Sequence, residues 1–211
     1  MSMGSSPAGE IFIVDDDALV RGALDAVLSR EGYQVTGFAE GASFLTAARA
    51  RTPTCVILDV KMPGQSGLEI LKELNAQQYP APIFIISGEG DIPMAVEAIK
   101  SGALDFIQKP FDAATLVTQV REAVEAWGRR ARSGGSADFL SKQFAGHDLL
   151  TARERDVLGQ IAAGSSNKQA GRELGISPRT IEVHRARIME KLGAKNAADL
   201  VRIVMSDSRS A

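Results

Sequence analysis

The chain has 211 residues, of which 45% are hydrophobic and 24% are charged, and these proportions exclude a disordered or fibrous protein. No apolar run approaches the roughly 20 residues of a membrane helix, and residues 1–9 lack the features of a secretory signal. The single cysteine, Cys55, lies in an apolar run, which excludes an intrachain disulfide and favours a buried thiol. We therefore expect a cytoplasmic protein that has no membrane partner.

The charge is distributed unevenly along the chain. Residues 1–128 carry nine basic and seventeen acidic residues, a net charge of −8, whereas residues 129–211 carry fifteen basic and nine acidic residues, a net charge of +6. An acidic half joined to a basic half predicts that only the second half binds a polyanion such as nucleic acid.

Five short apolar runs alternate with five longer helical patterns in the first half of the chain. The runs cover residues 11–14, 33–38, 55–58, 83–86 and 105–107, and the helical patterns cover residues 18–31, 41–50, 67–76, 92–101 and 112–127. This alternation predicts a parallel sheet with helices on both faces. Five units are too few for an eight-stranded barrel, so we expect a doubly wound, flavodoxin-like α/β fold.

After residue 127 the pattern changes to a linker and then to a small all-α domain. Residues 129–136 are basic and then rich in glycine and serine, the composition of a flexible linker. A capping box at Thr151 and Glu154 begins a helix, and Ser177 before a proline begins another. The second and third helices, joined at Gly175, have the size of a helix-turn-helix. We predict disordered ends over 1–9 and 206–211, an α/β domain over 10–127, a linker over 128–147 and a helical domain over 148–205.

Polar residues stand at the carboxyl ends of four predicted strands. Asp15 and Asp16 follow the first strand, Asp59 the third, Ser87 the fourth and Lys109 the fifth. In a doubly wound sheet, ligands bind at this edge. Converging carboxylates repel one another unless a hard divalent cation such as Mg²⁺ neutralises them. A carboxylate beside such an ion can attack a phosphoryl group while the metal and a lysine offset its charge.

Each of these residues also has an ordinary structural interpretation. An acidic pair after a strand is most often a helix cap, which is the role expected for Asp17, and a Lys-Pro pair is usually a turn. The ordered set, with one element at each strand end, is what indicates a phosphoryl site.

Residues 13–17, 58–64, 86–88 and 106–111 resemble the receiver domains of two-component response regulators, over about residues 10–127. The resemblance implies that Asp59 is the phosphoacceptor, and that Asp16, Asp59 and the backbone carbonyl of Lys61 hold Mg²⁺ or Mn²⁺ while Asp15 acts through a bound water. It further implies that Ser87 and Lys109 contact the phosphoryl group, that Phe106 is an aromatic switch and that the Lys109–Pro110 peptide bond is cis.

Residues 150–154, 164–168 and 176–189 resemble the LuxR-type DNA-binding domain, over about residues 148–205. Its union with a receiver is typical of the FixJ/NarL type of response regulator. In such a domain the second helix of the pair enters the major groove. The base-reading positions implied are Glu182, Val183 and Ala186. Residues placed near phosphates or on the outward side of the helices are Lys168, Ser177, Arg179, Thr180, Arg185, Arg187 and Lys191, and dimer contacts are expected from Leu200, Val201 and Val204.

Three positions of this domain leave open questions. His184 can contact a phosphate or pack between helices. Ala170 and Gly171 stand where the family usually has isoleucine and alanine, and a glycine inside a helix costs roughly 1 kcal/mol against alanine.

The resemblance implies a non-enzymatic transcription factor. A sensor histidine kinase would phosphorylate Asp59, after which the protein would dimerise, bind promoter DNA and activate transcription with RNA polymerase. One alternative is an aspartyl-phosphate phosphatase or transferase, but such enzymes carry an acid two residues after the nucleophile, where this chain has Lys61. Another is a DNA-binding protein with a vestigial receiver, which the presence of all five phosphorylation-site residues disfavours.

Overall fold

The computed structural model describes residues 9–88, 92–133, 144 and 146–206. Contacts divide the chain into two compact units, with the boundary between Val124 and Glu125. The strands are β1 (Glu10–Val14), β2 (Gln34–Phe38), β3 (Cys55–Asp59), β4 (Ile83–Ser87) and β5 (Asp105–Gln108). The helices are α1 (Ala18–Arg30), α2 (Gly41–Ala50), α3 (Gly67–Glu73), α4 (Ile92–Lys100), α5 (Ala113–Ser133), α6 (Ala152–Ala162), α7 (Asn167–Leu174), α8 (Pro178–Leu192) and α9 (Ala197–Ser206).

The first unit is built on a five-stranded sheet in the order β2-β1-β3-β4-β5, and every neighbouring pair is parallel. All residues of β3 and β4 are buried, because helices cover both faces of the sheet. This confirms the predicted doubly wound fold. The buried thiol of Cys55 is also confirmed, and burial raises its pKa.

Aromatic packing joins α2 to one face of the sheet. The rings of Phe12, Phe38 and Phe44 meet edge to face, with centroids 5.1 to 6.3 Å apart. Pairs of this geometry add about 1 kcal/mol beyond the burial of their area. The sheet edge that carries the predicted site is therefore held on a rigid apolar core.

Helix α5, which crosses the boundary between the two units, is longer than predicted. The sequence places its end near Trp127 and a linker from residue 128, but α5 continues through Ser133. Residues 129–132, which follow Gly128, are three arginines and an alanine. These are good helix formers, and they offset the cost of one glycine. The predicted disordered segments at 1–8 and 207–211, and residues 134–143 and 145 of the predicted linker, lie outside the described residues. Ser206, assigned to the tail, belongs to α9.

The second unit is a bundle of four helices in the described part of the chain, preceded by a 3-10 turn over His147–Leu149. Val157 and Leu158 of α6, Ile181 and Ile188 of α8, and Leu200 and Val204 of α9 form its core. None of the helices described in either unit is long and apolar enough to cross a membrane.

The structure corrects the predicted dimer contact on α9. Leu200 is 1% exposed and Val204 5% exposed within a single chain, so neither side chain is available to a second copy. The apolar face of α9 is needed to close the core of its own domain. Val201 is half-buried and is the one member of the predicted set that reaches the surface.

Gly171 is unfavourable for helix formation, but close packing in the structure requires a glycine at this position. It is buried in α7, next to the turn before α8. A Cβ added at Gly171 would lie 2.6 Å from the carbonyl oxygen of Ile176 in that turn. The backbone N–H of Ile176 in turn donates to the Gly171 carbonyl, 3.0 Å away. Glycine at this position allows the backbone of the turn to approach α7 closely.

We expect Gly171→Ala to destabilise the second unit by about 1 kcal/mol or more, although helix propensity alone predicts a gain of similar size. The reason is the collision with the Ile176 carbonyl, which is backbone and cannot rotate away. Gly22→Ala in α1 is the matched control, since nothing lies within 4 Å of an added Cβ there, and it should be neutral or stabilising. Denaturation followed by circular dichroism, with hydrogen exchange locating the change, measures both. A stabilised Gly171→Ala protein would contradict this interpretation.

Candidate functional site

The ends of four strands bring the predicted phosphorylation residues to one edge of the sheet. Asp59 is the last residue of β3 and Ser87 the last residue of β4. Asp15 directly follows β1, and its backbone N–H donates to the carbonyl of Phe38 at 3.1 Å. Lys109 directly follows β5, and its N–H donates to the carbonyl of Ser87 at 2.8 Å. The ladder hydrogen bonds thus extend one residue beyond the strands and fix these positions.

The ammonium group of Lys109 joins two carboxylates. Its Nζ lies 2.8 Å from Asp15 Oδ2 and 2.9 Å from Asp59 Oδ1. The side chains of Asp15 and Asp59 are 1% and 5% exposed, whereas that of Lys109 is 24% exposed. One cation therefore contacts two buried anions that would otherwise repel each other.

Burial and charge act in opposite directions on these groups. Burial raises the pKa of Asp59, and Lys109 offsets only part of that effect. Burial lowers the pKa of Lys109, but hydrogen bonds to Asp15 and Asp59 outweigh it, so the net pKa is raised. The lysine therefore stays protonated at neutral pH and supplies a fixed positive charge.

Backbone groups hold the remaining carboxylate oxygens. Asp59 Oδ2 accepts from the N–H of Lys61 at 2.8 Å, and Asp15 Oδ1 accepts from the N–H of Asp17 at 2.9 Å. Asp17 itself caps α1, as predicted, by accepting from Leu19 at 2.8 Å. Both buried carboxylates are thus oriented at each oxygen.

Gly67 allows α3 to begin against the end of β3. Its N–H donates to the Val60 carbonyl at 2.9 Å, and an added Cβ would collide with the backbone carbonyl of Asp59. This close approach was not predicted from the sequence.

The other predicted residues of this edge occupy different environments. Asp16 is exposed, and the side chain of Phe106 on β5 is half-buried. Ser87 is fully buried, and its hydroxyl lies 3.7 Å from the sulfur of Met94 on α4. The Lys109–Pro110 bond is cis, as predicted. Within residues 9–88, 92–133, 144 and 146–206, no three His, Cys, Asp or Glu side chains are drawn together as a metal cluster.

The helix-turn-helix of the second unit consists of α7, a turn at Gly175 and α8. Gly175 has a positive φ of 65° and ends α7, a conformation that favours glycine. Ser177 begins α8 by accepting from the N–H of Thr180, with proline at the first helical position. Both helix ends follow the signals in the sequence.

The predicted DNA contacts fall into three groups in this structure: exposed side chains, partly exposed side chains, and side chains held within the domain. Those with exposed side chains are Lys168, Arg179, Glu182 and Ala186, and those with partly exposed side chains are Ser177, Val183 and Arg185. Thr180, Arg187 and Lys191 are held within the domain instead. The hydroxyl of Thr180 is buried and pairs with that of Ser177 at 2.9 Å, so the predicted side-chain contact of Thr180 with phosphate is corrected.

Glu154 accounts for the position of Arg187 and Lys191 within the domain. Its side chain is 0% exposed, and it lies 2.7 Å from Lys191 Nζ and 3.6 Å from Arg187 Nε. Burial raises the pKa of Glu154, but the hydrogen bond from Lys191, together with one from the Thr151 backbone, leaves that pKa below its usual value. Arg187 is 15% exposed, so the prediction that it points outward is corrected, and Lys191 is bound to a structural carboxylate rather than free for phosphate.

Sequence reasoning missed this second role of Glu154. The capping box identified it as the partner of the Thr151 N–H, which the structure confirms at 2.8 Å. Its contacts with α8 join residues more than 30 positions apart, and helical periodicity carries no signal for such a pair.

His184 packs between helices and does not reach the surface. It is 3% exposed, and its two ring nitrogens make no hydrogen bond within the described part of the chain. Burial, reinforced by the charges of Arg153, Arg187 and Lys191 and opposed by Glu154, lowers its pKa to about 3. Of the two roles left open by the sequence, the buried position supports helix packing.

Comparisons with known proteins agree with this geometry. Residues 11–121 match the family described as the response regulator receiver domain, and residues 148–204 match the bacterial regulatory proteins of the luxR family. The transcriptional regulatory protein FixJ of Bradyrhizobium diazoefficiens is 43% identical over 197 residues, which cover 93% of this chain and 95% of that protein. The crystal structure of full-length FixJ from B. japonicum superimposes with a TM-score of 0.56 and 41% identity, covering 97% of this chain and 100% of that one. The beryllofluoride-activated NtrC4 receiver domain dimer gives a TM-score of 0.53 at 26% identity, covering 56% and 98%.

The buried position of His184 predicts a pH-dependent stability of the second unit. The folded-state pKa of about 3 lies below the usual value of 6.5, so the unfolded chain gains a proton first as the pH falls. Stability is therefore complete above pH 6.5 and declines below it, by roughly 2 kcal/mol between pH 6.5 and pH 5. Hydrogen exchange of the α8 amides, corrected for intrinsic rates, measures this decline.

Two variants isolate the histidine responsible. His184→Gln should remove most of the decline over this pH range, whatever its effect on absolute stability. His147→Gln changes the only other histidine of the chain and should retain the decline. An unchanged pH dependence in His184→Gln would show that another group titrates.

Proposed function

The chain belongs to the response regulators that join a receiver domain to a LuxR-type DNA-binding domain, and we propose that a phosphoryl group on Asp59 controls its binding to promoter DNA. The single observation that supports this most directly is the Lys109 ammonium between Asp15 and Asp59. The oriented carboxylate of Asp59, the proposed nucleophile, lies beside a fixed positive charge at the edge of the sheet where ligands bind in such folds.

The transfer step needs little from the protein beyond positioning. An oxygen of Asp59 attacks the phosphorus of a phosphohistidine in a sensor histidine kinase. The phosphorus–nitrogen bond breaks, and its electron pair returns to the imidazole, which takes up a proton. Lys109 is close enough to transfer its contact from the carboxylate to a phosphoryl oxygen, which offsets the added negative charge.

Ser87 and Phe106 are proposed to convert the chemical step into a conformational one. The Ser87 hydroxyl, now beside the Met94 sulfur, turns toward a phosphoryl oxygen, which is a much stronger acceptor than a thioether. Phe106, half-buried on the adjacent strand, then has room to move inward.

The oxygen donors at this edge fit a hard divalent cation. Asp15 and Asp59 already contact one positive group from two sides, and Asp16 is exposed next to Asp15 with its carboxylate at the surface. We propose that Asp16, Asp59 and the Lys61 carbonyl hold Mg²⁺ or Mn²⁺, with Asp15 acting through water. The ion would supply charge neutralisation of the incoming phosphoryl group.

The output is proposed to be a phosphorylation-dependent dimer on DNA. One α8 reads too few base pairs to specify a promoter, so two copies are required. The beryllofluoride-activated NtrC4 receiver, to which this chain is similar, is a dimer. With Leu200 and Val204 buried, the contact is assigned to the receiver and to the surface of α9 near Val201. We further propose that this regulator acts in the cytoplasm and activates transcription with RNA polymerase.

Incubation with a small acyl phosphate and Mg²⁺ should label the protein with an acid-stable, base-labile phosphoryl group. Asp59→Asn should abolish the label because it removes the nucleophile, whereas Asp25→Asn, a matched change at an exposed residue of α1, should retain it. The phosphorylated wild type should also sediment as a dimer. A label that persists in Asp59→Asn would move the phosphoacceptor elsewhere.

Basic residues that are exposed, rather than paired with Glu154, are the ones we expect to contribute to DNA affinity. Lys168→Ala should weaken binding to all duplexes alike and lower the slope of log affinity against log salt by about 1, because Lys168 is exposed and free to contact a phosphate. Lys72→Ala, an exposed lysine of the receiver, should leave the slope unchanged. Fluorescence anisotropy over a range of salt concentrations measures both, and an unchanged slope in Lys168→Ala would exclude the contact.

A further inference from the structure

Asn167 links α7 to two side chains of α8. Its Nδ2 donates to Glu182 Oε1 at 3.2 Å, and its Oδ1 accepts from Arg185 Nη1 at 3.2 Å. The orientation of the amide follows from chemistry, because a guanidinium can only donate and a carboxylate can only accept. Both the nitrogen and the oxygen of the Asn167 amide thus bond to side chains of α8.

The start of α7 does not depend on this side chain. Ser166 caps the helix by accepting from the N–H of Gln169 at 3.2 Å, and the Gln169 side chain accepts from the Ser166 N–H at 3.0 Å. Asn167 is the first residue of the helix, inside that complete capping box. Its amide is therefore available to act on another element.

Glu182 gains a defined position from the contact. It is exposed near the start of α8, and a glutamate there otherwise turns freely about three side-chain bonds. The amide of Asn167 restrains its carboxylate, and the same amide holds Arg185 beside it through the oxygen. A side chain held in its bound position before association loses less conformational entropy on binding.

We propose that Asn167 is a positioning residue for base recognition, which directs the carboxylate of Glu182 toward a hydrogen-bond donor on a base edge, such as the amino group of cytosine. Asn167 touches no base itself and acts through Glu182. The inference rests on the proposed function in one respect, namely that α8 enters the major groove of DNA.

The test compares base preference with general affinity in the full-length protein. The wild type, treated with acyl phosphate and Mg²⁺, selects duplexes from a randomised double-stranded DNA pool. The affinities of wild type, Asn167→Ala, Glu182→Ala and the double variant are then measured on the selected duplex, on its single-base-pair variants and on a scrambled duplex. Lys168→Ala is the control for a loss of affinity without a loss of preference.

We expect Glu182→Ala to abolish the preference at one base pair of each half-site. Asn167→Ala should reduce the preference at that same base pair by about 3- to 10-fold, while its affinity for the scrambled duplex stays within about twofold of wild type. The double variant should lose no more preference than Glu182→Ala alone, because Asn167 acts through Glu182. Asn167→Asp keeps the size of the residue and repels Glu182, so it should show the same loss even if alanine loosens α7.

Three results would overturn the proposal. A uniform loss of affinity in both Asn167 variants on every duplex would assign Asn167 a structural role only. An unchanged preference in Glu182→Ala, or a further loss in the double variant, would show that Asn167 does not act through Glu182. If the wild type selects no duplex over the scrambled one, both the proposed DNA-binding function and the role of Asn167 fail. This outcome is distinguishable from the others because it is seen in the wild type alone.

Discussion

The α/β unit depends on the sharing of one ammonium group by two buried carboxylates. Four neighbouring strands, β1, β3, β4 and β5, end side by side at an edge where Asp15 and Asp59 have almost no contact with water. Two anions so close and so poorly solvated would destabilise the fold by several kcal/mol if they were unpaired. The Lys109 ammonium offsets this repulsion, and the hydrogen bonds from backbone N–H groups complete the solvation that water would supply. The sheet can therefore carry two buried carboxylates at its edge without losing its dry core.

The helical unit also contains a buried ion-pair cluster, in which one anion is paired with two cations. One buried carboxylate, that of Glu154, is paired with two cations of α8. As a result the basic residues of the second half of the chain are not equivalent. Arg187 and Lys191 stabilise the domain, whereas other basic residues such as Lys168 are exposed. The basic residues available to a polyanion are therefore fewer than the composition of residues 129–211 suggests.

Much of this architecture is predictable from the sequence, and the exceptions share a physical cause. The alternation of apolar runs and helical patterns predicted all five strands and their parallel orientation, because strands buried on both faces are almost entirely apolar. Helix starts at Asp17, Thr151 and Ser177 were predictable because a cap requires a particular residue at one position. Strand ends predicted that Asp15, Asp59 and Lys109 lie together, and the structure brings these three side chains into contact, whereas their role in phosphorylation remains a prediction. The metal contacts and the DNA contacts remain predictions.

The errors concern features that depend on distant partners. Helical periodicity tells which residues share a face but not what covers it, so Leu200 and Val204 were assigned to a second copy although their own domain covers them. Lys191 was assigned to phosphate and Arg187 to the outward side of α8, because the carboxylate that holds both belongs to another helix. The same dual engagement of Glu154 has a thermodynamic consequence for the domain. Since one side chain both begins α6 and anchors α8, neither helix can reach its full stability without the other. We therefore expect α8 to unfold together with α6 as one cooperative unit, so that α8 is either fully formed or fully lost rather than partly frayed.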